Sequence, residues 1–225
     1  LLGFAAGIMI AASVWSLIVP AFSDAGHDFK GTLVVTLGFL LGCAGMLGLD
    51  KLVPHQHMDE ESPEGSPSHL SRPMLLVLAV ALHNIPEGLA LGVVIAAAMA
   101  DAGMTWTAAI VFGLGLALQN FPEGMAVVLP LRQSGSTKKR CAWWGFWASL
   151  AEPVSALLGV ALTSALNTLG GVVMPVLLSI AAGAMIFIVV EELIPESQAG
   201  GHGHGATYGF LIGFWMMAVL GILGG

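Results

Sequence analysis

The chain has 225 residues, of which 56% are hydrophobic and only 9% charged, against about 25% charged in an ordinary soluble domain. Fourteen acids outnumber seven bases for a formal charge of −7, and 30 residues are glycine. These figures exclude a soluble globular domain, a disordered chain and a basic nucleic-acid binder.

Seven apolar stretches follow one another at 1–21, 32–53, 73–100, 105–131, 142–167, 172–194 and 206–225. Each is near or above the roughly 20 residues a helix needs to cross the hydrocarbon core. Barrel strands would instead alternate in polarity over about 10 residues. The expected fold is therefore all-α: a polytopic transmembrane helical bundle forming one domain over 1–225. Leu1 already lies inside an apolar stretch, with neither a basic n-region nor a small-residue cleavage pattern. This reads as a truncated or processed start rather than a signal peptide. Cys43 and Cys141 occupy different stretches, which is neither a disulfide framework nor a cysteine zinc site.

Three connections are polar: 54–72 (PHQHMDEESPEGSPSHLSR), 132–140 (RQSGSTKKR) and 196–205 (ESQAGGHGHG). Placed on one side of the membrane, their flanks gather Lys51, Arg72, Arg132, Lys138, Lys139 and Arg140, leaving only Lys30 opposite. The positive-inside rule then puts these loops in the cytoplasm, together with His55, His57, His69, His202 and His204. Those histidines read equally as captors of released ions and as parts of solvated linkers.

Two internal repeats stand out. HNIPEGLA at 83–90 recurs as QNFPEGMA at 119–126, and AAGIMI at 5–10 as AAGAMI at 181–186. In the assigned topology both pairs run in opposite directions through the bilayer. Inverted-topology repeats are how many transporters build a substrate site near the midplane. Two inverted halves predict an even number of spans, hence an eighth helix before Leu1.

Glu87, Glu123 and Glu152 lie near the middle of their spans, and no Lys or Arg lies deep in any of them. A lone charge at mid-bilayer costs roughly 2.5–3.5 kcal/mol even on the lenient insertion scale. Such acids must be protonated or neutralised from outside the sequence, and a bound dication does the latter directly. His83 and Glu87 are spaced i,i+4 and share a helix face; Asn84 and Glu87, at i,i+3, share the adjoining one. Gln119, Asn120 and Glu123 repeat the geometry. Two neighbouring metal positions follow, one flanked by His83 and Gln119, the other by Asn84 and Asn120 and closed by Glu152. Imidazole with carboxylate suits Zn²⁺ and its first-row neighbours. Pro86 and Pro122 each delete a backbone bond and are expected to loosen the helix before the Glu, and Gly88 and Gly124 to permit close helix approach.

Each residue also has a plainer role open to it. His83 alone reads as an interhelical hydrogen bonder, Glu87 alone as a proton relay, and Asn84 and Asn120 as interhelical glue. Met9, near mid-span, is a soft-metal thioether or core filler. Glu191 and Glu192 are exit-path ligands or a capped helix end. Asp50 is an exit-path or loop ligand or, on the favoured reading, an ordinary helix terminus. An intramembrane metallohydrolase would need an open metal position and a separate acid or base, and H-E-x-x-H is absent. A proton-coupled carrier or metal sensor would use the same acids as relays.

HNIPEGLALG at 83–92, QNFPEG at 119–124 and AEPVSALLG at 151–159 resemble the ZIP family of divalent metal transporters, and within it the bacterial GufA-like branch. LGFAAGIMIAAS at 2–13 and AAGAMIFIVVEELIPE at 181–196 extend the likeness to nearly the whole chain. The resemblance implies eight helices, an elevator-like movement and a binuclear site. It places His83, Glu87, Gln119 and Glu123 at the transport position, with Met9 as thioether ligand. Asn84, Glu87, Asn120, Glu123 and Glu152 form the auxiliary position. It implies Zn²⁺ as the usual cargo, with Cd²⁺, Fe²⁺ and Mn²⁺ variably accepted, no cofactor, and a bacterial inner-membrane location. Family members often form homodimers, though no feature of this sequence shows one. Asn120 stands where some relatives have Asp, which removes one charge from the auxiliary position. Glu191 stands where some have His.

Overall fold

The structure is a computed structural model that describes residues 1–55, 65–101, 104–166, 171–199, 201 and 204–224. Among them are seven helices long and apolar enough to cross a membrane. They are α1 (Leu2–Ala25), α2 (Phe29–Leu52), α3 (Arg72–Met99), α4 (Trp106–Gln133), α5 (Lys138–Leu166), α6 (Val173–Gln198) and α7 (Gly205–Gly224). Every expected span is present. Several helices outrun their apolar stretches: α5 begins at Lys138 and α6 continues to Gln198. Hydropathy marks where lipid contact ends, whereas backbone hydrogen bonding carries on through charged residues that favour helix. At the opposite ends side chains start the helices. Asp28 accepts from Gly31 N at 2.8 Å to cap α2, and Thr105 accepts from Ala108 N at 3.0 Å to cap α4.

Lipid tails are as apolar as leucine, so membrane helices associate through close packing and small residues. Three helix pairs do this here. Gly7 of α1 seats against the backbone at Phe210 and Phe214 of α7, Gly42 of α2 against Ile180 and Ala184 of α6, and Gly92 of α3 against Ala156 and Gly159 of α5. A Cβ at any of the three would collide with the facing carbonyl oxygen. In each pair contact advances in the same direction along both chains: Gly3 meets Ala206, Gly38 meets Val176, and Gly88 meets Glu152. All three pairs are thus parallel, as strictly alternating crossings of the bilayer require. One end of the bundle accordingly carries Lys51, Arg132, Lys138, Lys139 and Arg140, all exposed; we call it the basic end.

Gly124 departs from expectation. Its repeat counterpart Gly88 packs on α5, but a Cβ at Gly124 would meet nothing within 4 Å among the described residues. The prolines depart as well. The α-helices run unbroken through Pro86, Pro122 and Pro153. The helical irregularity lies instead in α1 and α6, which widen to π-helix at Ser13–Ile18 and Val189–Leu193. Those segments are offset by 176 positions, the offset that separates AAGIMI from AAGAMI, so the second repeat is a repeat of backbone geometry as well as of sequence. Single π turns inside α-helices occur frequently at functional sites.

Replacing Gly42 by Val should push α2 away from α6 and destabilise the bundle by about 1–3 kcal/mol. Gly48→Ala, where the added methyl meets nothing within 4 Å, should be neutral or slightly stabilising through helix propensity. Thermal unfolding of the two variants in one detergent checks the contrast, and equal melting temperatures would contradict the packing described.

Candidate metal centre

Four helices supply the polar interior. From α3 come His83, Asn84 and Glu87, from α4 Gln119 and Glu123, from α5 Glu152, and from α6 Glu192; all seven are buried. Asn120 is half-buried. Helical spacing explains the grouping. His83 and Glu87 fall one turn apart on the inward face of α3, as do Gln119 and Glu123 on α4. The repeat turns the two motifs toward each other.

Glu87 faces Glu123 and Glu152, with Gln119 beside it. Glu123 faces His83, Glu152 and Glu196, and neither of its carboxyl oxygens has a hydrogen-bond partner among the described residues. The two asparagines spend their amide N–H groups elsewhere. Asn84 Nδ2 donates to the Ala148 carbonyl at 3.0 Å, and Asn120 Nδ2 to Glu152 Oε2 at 2.5 Å. Both Oδ1 atoms are buried and make no hydrogen bond among the described residues. These amide oxygens are hard donors of the kind a divalent cation accepts. Every Lys and Arg whose side chain is described is exposed, so among the described residues no Lys or Arg balances the carboxylates.

His83 Nε2 is drawn to the carboxylate of Glu192 on the π segment of α6, and Glu123 and Glu196 also face His83. Among the described residues no three His, Cys, Asp or Glu side chains close around a single point as ligands. His83 thus has acids of two other helices around it, Glu123 of α4 and Glu192 and Glu196 of α6. Sequence reasoning left Glu192 as an exit-path ligand or a capped helix end; the structure puts it in contact with the site histidine. It did not single out Glu196, although Glu192 and Glu196 share the i,i+4 spacing that flagged the other pairs. Nor did it single out Ser13, one turn beyond Met9, whose buried hydroxyl has no hydrogen-bond partner among the described residues. Met9 itself is fully buried in the main apolar core.

The remaining candidates lie apart. Glu191 is exposed, since its neighbour Glu192 takes the inward face. His55 is not a solvated linker residue: it is fully buried, with Nε2 2.9 Å from Asp50 Oδ1 and Nδ1 2.7 Å from the Val53 carbonyl. Asp50 is thereby a partner of His55 rather than an idle helix end. Ser66 Oγ donates to the Leu52 carbonyl at 2.8 Å, so the far side of the loop folds back over the end of α2. His204 is exposed, its ring 6.2 Å from that of Tyr208, and His69 is exposed. His57 and His202 lie outside the described residues.

Residues 51–221 match the family model described as ZIP Zinc transporter. Over 98% of its length the chain is 41% identical to the zinc transporter ZIPB of Bordetella bronchiseptica, covering 69% of that protein. Over 92% it is 37% identical to the zinc transporter GufA of Myxococcus xanthus, covering 79%. Over 98% it is 30% identical to human zinc transporter ZIP11, covering 86%. With seven spanning helices and relatives of this kind, the chain is an integral, multi-pass membrane protein that belongs to the ZIP family of zinc transporters.

Proposed function

We propose that this protein carries divalent cations, Zn²⁺ first among them and Cd²⁺, Fe²⁺ and Mn²⁺ as further cargo, across a bacterial inner membrane toward the cytoplasm. The observation that carries the reading is the burial of Glu87, Glu123 and Glu152 at mid-span beside one another with no Lys or Arg partner among the described residues. Each such charge is costly in hydrocarbon, and a passing dication removes the cost while it is bound.

The transport position consists of His83, Glu87, Gln119 and Glu123 with Met9 as a soft fifth donor. The auxiliary position consists of Asn84, Glu87, Asn120, Glu123 and Glu152. His83 joins the transport position by turning from Glu192 back to Glu123, and returning to Glu192 it hands the ion toward the basic end. Three carboxylates against two dications leave the sites under-neutralised, which keeps binding loose enough for release. The helix pairs support an elevator-like movement. α3 and α5 pack on glycine and, with α4, carry almost all the ligands. The glycine-locked pairs α1–α7 and α2–α6 form the frame against which that group slides. The homologues' names as zinc transporters favour transport over the rival readings of these acids as a hydrolase centre or a metal-free proton relay.

Two outcomes are expected. In proteoliposomes, Glu87→Ala and His83→Ala should each bring Zn²⁺ uptake down to the protein-free background, while Glu191→Ala, on the exposed face, leaves it near wild type. Uptake unaffected by both of the first two would remove the assigned site. Asn120→Asp should sharpen dependence on metal. Without cation it places a second carboxylate against Glu152 and lowers the melting temperature. With Zn²⁺ at about a hundred times the dissociation constant, linkage returns about 2.7 kcal/mol. A zinc-induced thermal shift no larger in Asn120→Asp than in wild type would contradict the auxiliary position.

A further inference from the structure

An apolar groove of about 350 Å³ runs between the α2–α6 pair and the α3–α5 pair. Its floor is formed by buried residues, among them Pro86, Val93 and Ala184, and its lips by exposed Leu41 and Gly45 on α2 and Leu162 on α5. Leu41, Pro86 and Ala184 all come from the middle third of their helices, so the groove lies at the depth of the hydrocarbon core and opens sideways. The lip is open at Gly45, where a Cβ would meet nothing within 4 Å among the described residues.

At that depth there is no water to fill the space. An empty groove would forfeit dispersion contacts along all four walls, and its apolar lining gives a polar ligand nothing to bond. The volume falls at the lower end of the range, about 300–1,000 Å³, in which proteins hold small ligands. The surface flanking the lips on α2 and α5, including Leu37, Leu40, Leu157 and Leu158, is exposed and apolar, so the groove is continuous with the lipid-facing surface. We propose that the groove is a binding site for one acyl chain of a membrane lipid, entering between α2 and α5 and ending against the Pro86 side of α3. The chain sits on the back of the segment whose other face presents Glu87. This site stands on packing alone and does not depend on the transport reading.

The test uses the full chain in proteoliposomes doped with a phosphatidylethanolamine that carries a diazirine midway along one acyl chain. After irradiation, adducts are mapped by mass spectrometry. Labelling at Leu41, Gly45 and Leu162 should exceed that at Leu211 and Ile212, exposed residues of α7, by several-fold. Gly45→Phe should bring it down to the α7 level, while Gly48→Phe, which also points into open space but off the groove, should not. If Gly45→Phe is not monodisperse, Leu162→Trp fills the groove from the opposite lip and should have the same effect. Equal labelling of groove and α7, or groove labelling indifferent to both filling variants, would each overturn the proposal.

Discussion

Carboxylates buried in hydrocarbon without a base to pair them are the constraint around which this molecule is organised. A buried ion is tolerable only with partners of good geometry, and the sequence withholds the usual ones: the bases whose side chains are described are all exposed. What surrounds Glu87, Glu123 and Glu152 is instead a set of neutral donors and acceptors, Gln119, Asn84 and Asn120, of which the two asparagines each donate one hydrogen bond to α5. Such a shell orients the acids without neutralising them. The packing follows suit. Because α3 lies on α5 through glycine, Ser155 reaches within 3.4 Å of the Asn84 carbonyl, and Glu152 is brought level with the motif of α3.

Much of this was legible in the sequence because the relevant signals are one-dimensional. Seven apolar stretches give seven helices, since the bilayer removes every alternative but helix or closed barrel. The i,i+4 spacing of His83 with Glu87, and of Gln119 with Glu123, fixes which side chains share a face, and a duplicated motif on antiparallel helices brings two faces together. Glu152 was identifiable as the one acid near the middle of its span.

The unread part involves partners set by tertiary packing. That His83 leans on Glu192 depends on how α6 docks against α3, and no spacing within either helix reports it. His55 looked solvated because it follows a proline at the head of an acidic loop, yet the chain folds back and buries it on Asp50. Pro86 and Pro122 do not loosen their helices, since helices inside a bundle absorb a missing hydrogen bond; the slack appears instead in α1 and α6, each just before a proline, Pro20 and Pro195, that leaves the carbonyl four residues back without its helical N–H.

The matched π segments carry a consequence for the two mouths of the molecule. Superposing one on the other sets Ser16 on Glu192 and Pro20 on Glu196, a hydroxyl and a ring against two carboxylates. The two widened turns share a backbone irregularity but not a charge: α6 carries two carboxylates toward the basic end, where α1 carries a hydroxyl and a ring toward the opposite end.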